Sequence, residues 1–171
     1  MSPSHNEFVV PKLRVRVVVA LRGETPRPHE LFVSQHEDHG WRLQDLYELL
    51  ESGARFLPAF EVEARAYVVL QKAALKWVRL AERPPNEDPL ANEDALFDKQ
   101  ERVWVALADG ESLEGDLLFS PAPGHGRVAD FLNEAGAFFS LWTDEGEMLV
   151  AKAHVVRVAE AGRTPTAKDN A

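Results

Sequence analysis

The sequence contains no cysteine, which excludes disulfides and thiolate metal sites. It also lacks any apolar run near the ~20 residues that span a bilayer, so no membrane insertion is expected. Met1 to Val10 is polar, with no basic stretch leading into a long apolar one, and does not read as a secretory signal. A cytoplasmic protein is the expectation. An excess of positive charge is missing too: the formal net charge is −9. Residues 1–82 balance at 11 Lys/Arg against 11 Asp/Glu, whereas residues 83–171 carry 8 against 17. An acidic surface repels phosphate backbones, so nucleic acid is not an expected partner. No catalytic constellation or phosphate loop is legible, and neither a cofactor nor an enzymatic activity is expected.

What is present is enough apolar material for a core. The apolar fraction is 45%, ordinary for a globular chain. It is arranged as an internal repeat at offsets of about 80 to 87 residues. Arg16-Val17-Val18-Val19-Ala20-Leu21 matches Arg102-Val103-Trp104-Val105-Ala106-Leu107. Gly23-Glu24-Thr25 matches Gly110-Glu111-Ser112, and Leu31-Phe32 matches Leu118-Phe119. Arg42, Asp45 and Leu46 match Arg127, Asp130 and Phe131; Phe56-Leu57 matches Phe138-Phe139. Lys72-Ala73 matches Lys152-Ala153, and Arg79-Leu80-Ala81-Glu82 matches Arg157-Val158-Ala159-Glu160. The expected organisation is a first repeat over 12–82, a Pro-rich acidic linker over 83–100, a second repeat over 101–160 and a disordered tail over 161–171. A unit of ~70 residues is marginal alone, so the two should pack together or join a partner.

Each repeat opens on alternation. Leu13, Val15, Val17, Val19 and Leu21 share one face, as do Val103, Val105 and Leu107, which predicts a half-buried strand. Asp109-Gly110 is a hairpin signal, with the return strand over Leu113 to Phe119. In the first repeat Thr25-Pro26-Arg27-Pro28 stands there, and proline predicts a short or edge strand. A short helix follows. Leu43, Leu46, Tyr47 and Leu50 are spaced for one apolar stripe, as are Val128, Phe131, Leu132 and Ala135. Gly53 and Gly136 are placed to end these helices. Three more strands close each repeat: Phe56 to Val62, Ala66 to Leu70 and Trp77 to Ala81, then Phe138 to Thr143, Met148 to Ala151 and Val155 to Val158. The expected fold class is mainly β with one short helix per repeat: two tandem small, partly open β-barrels.

The second repeat resembles small bacterial β-barrels of the Sm-like and SH3-like type. Val103, Val105, Leu107, Asp109 and Gly110, then Gly115 and Leu117, are similar to the first Sm motif. Val150 to Val158 resembles the strand, turn and strand that close such barrels. Sm proteins place their helix before the first strand, and this helix follows the second. The Asp-x-x-Asn loop that holds uridine and the Arg-Gly pair of the second motif are missing. The resemblance therefore implies a barrel and does not bring RNA binding with it. Arg127-Val128-Ala129-Asp130-Phe131-Leu132-Asn133 is similar to a segment of bacterial tandem domains to which no activity is attached.

Five residues are candidates for an interaction site: Arg42, Asp45, Trp104, Arg127 and Asp130. The Arg-x-x-Asp pairs can form an i, i+3 ion pair on a helix or brace the loop before it, and their presence in both repeats favours a structural role; the functional alternative is that arginine is favoured at interfaces. Trp104 alternates out of phase with Val103 and Val105, so it faces outward or toward the other repeat. His36-Glu37-Asp38-His39 is a weaker alternative, with His36 and His39 as metal ligands but no third ligand evident. The expected function is a non-enzymatic protein-interaction or regulatory module that binds a protein partner or itself. The alternative is a small-ligand or metal sensor using the groove between repeats, near His36, His39, His125 and Arg127.

Overall fold

The computed structural model describes residues 12–35, 40–84 and 97–162. The His36–His39 tetrad, most of the expected linker and most of the expected tail lie outside the described residues. Ten strands and two helices follow in order. The first half holds β1 (Lys12–Leu21), β2 (Arg27–Ser34), α1 (Leu43–Glu51), β3 (Phe56–Glu61), β4 (Ala66–Gln71) and β5 (Leu75–Leu80). The second holds β6 (Lys99–Leu107), β7 (Ser112–Phe119), α2 (Val128–Leu132), β8 (Phe138–Thr143), β9 (Gly146–Ala151) and β10 (Val155–Glu160). A 3₁₀ turn precedes the last strand of each half, at Lys72–Ala74 and Lys152–His154.

The mainly β class holds, with a helix after the second strand of each half. The architecture is one open sheet in the order β10-β6-β7-β8-β9-β5-β1-β2-β3-β4, and every described pairing is antiparallel. It is not a closed barrel. Each half contributes five neighbouring strands in the same internal order, last-first-second-third-fourth. The last strand of the first half then pairs with the fourth strand of the second: Trp77↔Val150, Val78↔Leu149 and Arg79↔Met148.

Register places the two halves over one another residue by residue and revises part of the sequence alignment. Val17 faces His29 in the first half, and Val103 faces Gly115 in the second. Leu31 therefore corresponds to Leu117, not Leu118. A one-residue slip would turn each buried leucine outward, because strand side chains alternate. The bulge at the start of the closing strand fixes another correction. Leu75↔Leu21 is followed by Trp77↔Ala20, and Val155↔Leu107 is followed by Arg157↔Ala106. Trp77, not Arg79, thus corresponds to Arg157.

β5 and β9 are buried on both faces, and this joins the halves. Leu75 and Val78 enter one core with Val15, Val17, Leu46 and Leu50. Phe138, Leu149 and Ala151 of the second half enter the same core. Reciprocally, Ala20 and Trp77 of the first half enter the other core, with Val103, Leu117, Leu141, Met148 and Val150. A strand with both faces covered reads as a continuous apolar run rather than an alternation. That is why Met148 to Ala151 shows no period of two, and why Leu75, Trp77 and Val78 are all buried with the paired Lys76 among them.

Two expectations fail for local reasons. β2 is neither short nor an edge: it runs eight residues between β1 and β3. Pro28 is tolerated because the β2–β3 ladder ends at His29↔Glu61, and beyond it the Pro28 carbonyl accepts the Val62 N–H at 3.2 Å. Nor do glycines end the helices. Ser52, with extended backbone, closes α1, and α2 ends at Asn133, before Ala135 and Gly136. Lysine does part of this work instead. Lys72 donates to the Ser52 carbonyl, and Lys152 donates to the Glu134 carbonyl at 2.8 Å. Cations near helix C-termini offset the exposed carbonyl dipoles.

Gly115 has a steric reason. A Cβ there would stand 2.5 Å from the Trp142 carbonyl oxygen, so β8 can cross β7 closely only over glycine. The shared cores predict cooperative unfolding. Leu149→Ala should cost about 2–5 kcal/mol by cavity formation. Urea denaturation followed by far-UV circular dichroism and tryptophan fluorescence should still give one coincident transition, because Leu149 is a second-half residue in the first-half core.

Candidate interaction surface

The Arg-x-x-Asp pairs brace helix starts. The Asp45 carboxylate accepts the Arg42 backbone N–H at 2.8 Å and its guanidinium at 2.9 Å. Asp45 itself is buried, at 4% exposed. Asp130 likewise accepts the Arg127 N–H at 3.1 Å. A carboxylate in the first turn satisfies an otherwise unpaired donor and complements the helix dipole. The pairs stand at the N-termini of α1 and α2, and Trp104 lies on β6. The two helices are neighbours, with Leu43 of α1 and Phe131 of α2 lining a common cavity. Trp104 faces outward, 46% exposed.

The junction between halves is held by polar contacts absent from the sequence reading. Glu51, at the end of α1, accepts the backbone N–H groups of Ala137 and Phe138, each at 2.9 Å. Tyr47 and Ser140 hydroxyls lie 2.6 Å apart, and Ser140 donates onward to buried Glu147. Burial pushes the Tyr47 hydroxyl up to about 12; the Ser140 hydrogen bond opposes this, and the Glu147 charge adds to it. His154 Nε2 donates across the junction to the Ala73 carbonyl at 2.8 Å.

A further cross-junction cluster surrounds Lys76, which is 6% exposed on β5. Its ammonium meets Asp109 at 2.7 Å and Glu111 at 2.6 Å, both on the β6–β7 hairpin. The Trp77 indole N–H donates to Glu111 at 3.2 Å. Burial alone would lower the Lys76 pKa, but the two carboxylates outweigh it and raise it. The Lys76 hydrogen bond holds Asp109 below its ordinary value. The Asp-Gly hairpin thus serves the junction as well as the turn.

Several concavities mark the surface of the described residues. One, of about 480 Å³, lies between the halves and is lined by Ala54, Phe56, Leu75, Ala137, Phe138 and Ala153, with Arg55, Lys72 and His154 at its polar side. His125 takes no part in it, and His36 and His39 fall outside the described residues. Arg127 instead lines a second, open groove of about 910 Å³ between α2 and β10. Among the described residues no group of three or more His, Asp or Glu is placed to hold a metal. Nor, among them, is any helix long and apolar enough to cross a membrane.

All the exposed large apolar side chains but Phe97 lie on the two strands nearest either end of the sheet. β4 is one end of the sheet order, and Tyr67 and Val69 on it are 70% and 67% exposed. Phe56 on β3 is also exposed, opposite Gln71 of β4. Tyr67 packs edge-on to Phe60, and its hydroxyl accepts from Arg14 at 2.9 Å. At the other end, β10 carries exposed Val156 beside the open groove. Sequence patterning missed this surface because which strands form the ends depends on the β5·β9 pairing. The outward phase of Tyr67 and Val69, opposite to Val68 and Leu70, was the available signal.

Two expected outcomes follow. Asp45→Ala should cost about 0.5–2 kcal/mol by loss of the helix N-terminal brace, measured by chemical denaturation. Tyr47 has a folded pKa above its unfolded value, so its contribution is full below about pH 10 and is lost as pH rises toward about 12. Alkaline denaturation should therefore be shallower in Tyr47→Phe than in the parent, and an unchanged alkaline slope would contradict the assignment. Neither a family model, nor a curated protein, nor a solved structure matches the chain.

Proposed function

We propose that the chain is a non-enzymatic protein-interaction module, built from a duplicated small β unit of the partly open barrel type, that binds through the ends of its sheet. The observation that carries this reading is the placement of exposed apolar side chains on β4 and β10, each of which has a neighbouring strand on one side only among the described residues. An unpaired edge strand offers free N–H and C=O groups to an incoming strand, and adjacent apolar side chains supply selectivity. The identical internal strand order and bulge position of the two halves support duplication. The acidic balance of 8 Lys/Arg against 17 Asp/Glu in residues 83–171 favours a protein over a nucleic acid as partner.

The test is amide hydrogen exchange on the complex recovered with a co-purifying partner. Backbone amides of 66–71 or 155–160 should gain protection, while those of β1 and β7 in the sheet interior change little. A partner whose footprint avoids both end strands would sink the reading.

The cavity between halves favours a second reading, a small-ligand sensor. Its apolar wall with Arg55, Lys72 and His154 suits a compact apolar molecule carrying an anionic group. A thermal-shift screen of such carboxylates should then reveal a stabilising ligand, worth about 2.7 kcal/mol at a hundredfold excess over Kd. No shift with any of them would leave the cavity as a packing gap at the junction.

A further inference from the structure

The inner β5·β9 junction is a pairing between the last strand of one unit and the fourth strand of another. The strands left over at the sheet ends are the same two kinds: β10 is the last strand of the second half, and β4 is the fourth strand of the first. The molecule therefore carries, at opposite ends, both halves of a junction it already makes once internally. We propose that copies of this chain associate head to tail, β10 of one against β4 of the next, in the geometry of the β5·β9 junction. This rests on the reading of the chain as an interaction module and names its partner as a second copy.

Surface chemistry supports the match. The exposed large apolar residues are Phe56, Tyr67, Val69, Phe97, Trp104 and Val156. All but Phe97 occupy positions whose counterparts are covered at the inner junction. Phe56 corresponds by register to Phe138, and Val69 to Leu149, which are 7% and 0% exposed. Tyr67 corresponds to Glu147, and Val156 in the bulge to Lys76, both 6% exposed. Trp104 corresponds to Val18, which packs against the second-half core.

The receiving groove is present as well. In the first half, β9 with Leu149 fills the space beside β5, and α1 closes over β8 through Tyr47 and Glu51. The corresponding space beside β10, next to α2, is the open groove of about 910 Å³. Its wall includes Lys99 and Glu101, where the first half has Leu13 and Val15. Arg157 takes the place of Trp77. The outer junction thus buries less apolar surface than the inner one, and a reversible association is expected where the inner one is permanent. Such a heterologous contact closes into a ring or grows as an open chain, depending on its rotation.

The test is sedimentation velocity of the full chain from low micromolar to millimolar concentration. The expected result is a rise in mass to multiples of one chain. Val69→Lys should block the β4 end, and Trp104→Lys with Val156→Glu the β10 end. All three positions are exposed, and unchanged circular dichroism melts would confirm folding. Each blocked protein alone should stay a single chain, whereas an equimolar mixture should form a dimer and stop there. A parent chain that remains single at millimolar concentration, or a mixture that forms no dimer, overturns the proposal. Capture of a foreign protein by a single-chain parent, lost in Val69→Lys, would overturn self-association and leave the interaction reading standing. No capture and no association would remove both.

Discussion

The fold depends on the antiparallel pairing of β5 with β9. These strands are buried on both faces, and each supplies side chains to two cores. Without the partner strand, Leu75, Val78, Leu149 and Val150 would expose apolar area worth roughly 1.5–3 kcal/mol per side chain. A unit of this size has little surplus stability to lose. Sharing of cores makes the two halves one cooperative body and keeps ten strands in one sheet.

Polar chemistry follows the same line. Lys76, Asp109 and Glu111, Tyr47 with Ser140 and Glu147, and the Glu51 contacts all cross between the halves. Buried polar groups cost stability unless paired, so each group here constrains how the halves sit. Repeated devices remain local: the Asp45 and Asp130 helix braces, the Lys72 and Lys152 contacts to helix-end carbonyls, and the two closing-strand bulges. Devices within a unit recur, whereas those of the junction exist once. Lys76 has only Val156 as its counterpart, and Trp77 only Arg157.

Much of the strand and helix content was legible. The alternation of β1 and β6 and the Asp-Gly hairpin depend on neighbours in sequence, and both stand in the structure. The Arg-x-x-Asp brace was legible for the same reason. What misled was chemistry that ignores context. Proline predicted an edge at β2, yet Pro28 lies just past the end of a ladder. Glycine predicted helix ends that serine, asparagine and lysine supply. Trp104 was ambiguous because alternation gives a face without saying what covers it.

The sequence by itself determined the class, the order of elements, the repetition of that order and the phase of β1 and β6. These follow from side-chain periodicity and turn stereochemistry, which act over a few residues. Only the tertiary structure decided which strands became ends of the sheet, where the halves meet and which apolar side chains remain outside. A doubly buried strand has no periodicity to announce its partner, and the β5·β9 register joins residues some seventy positions apart. The exposed set at β4 and β10 is a consequence of that one choice.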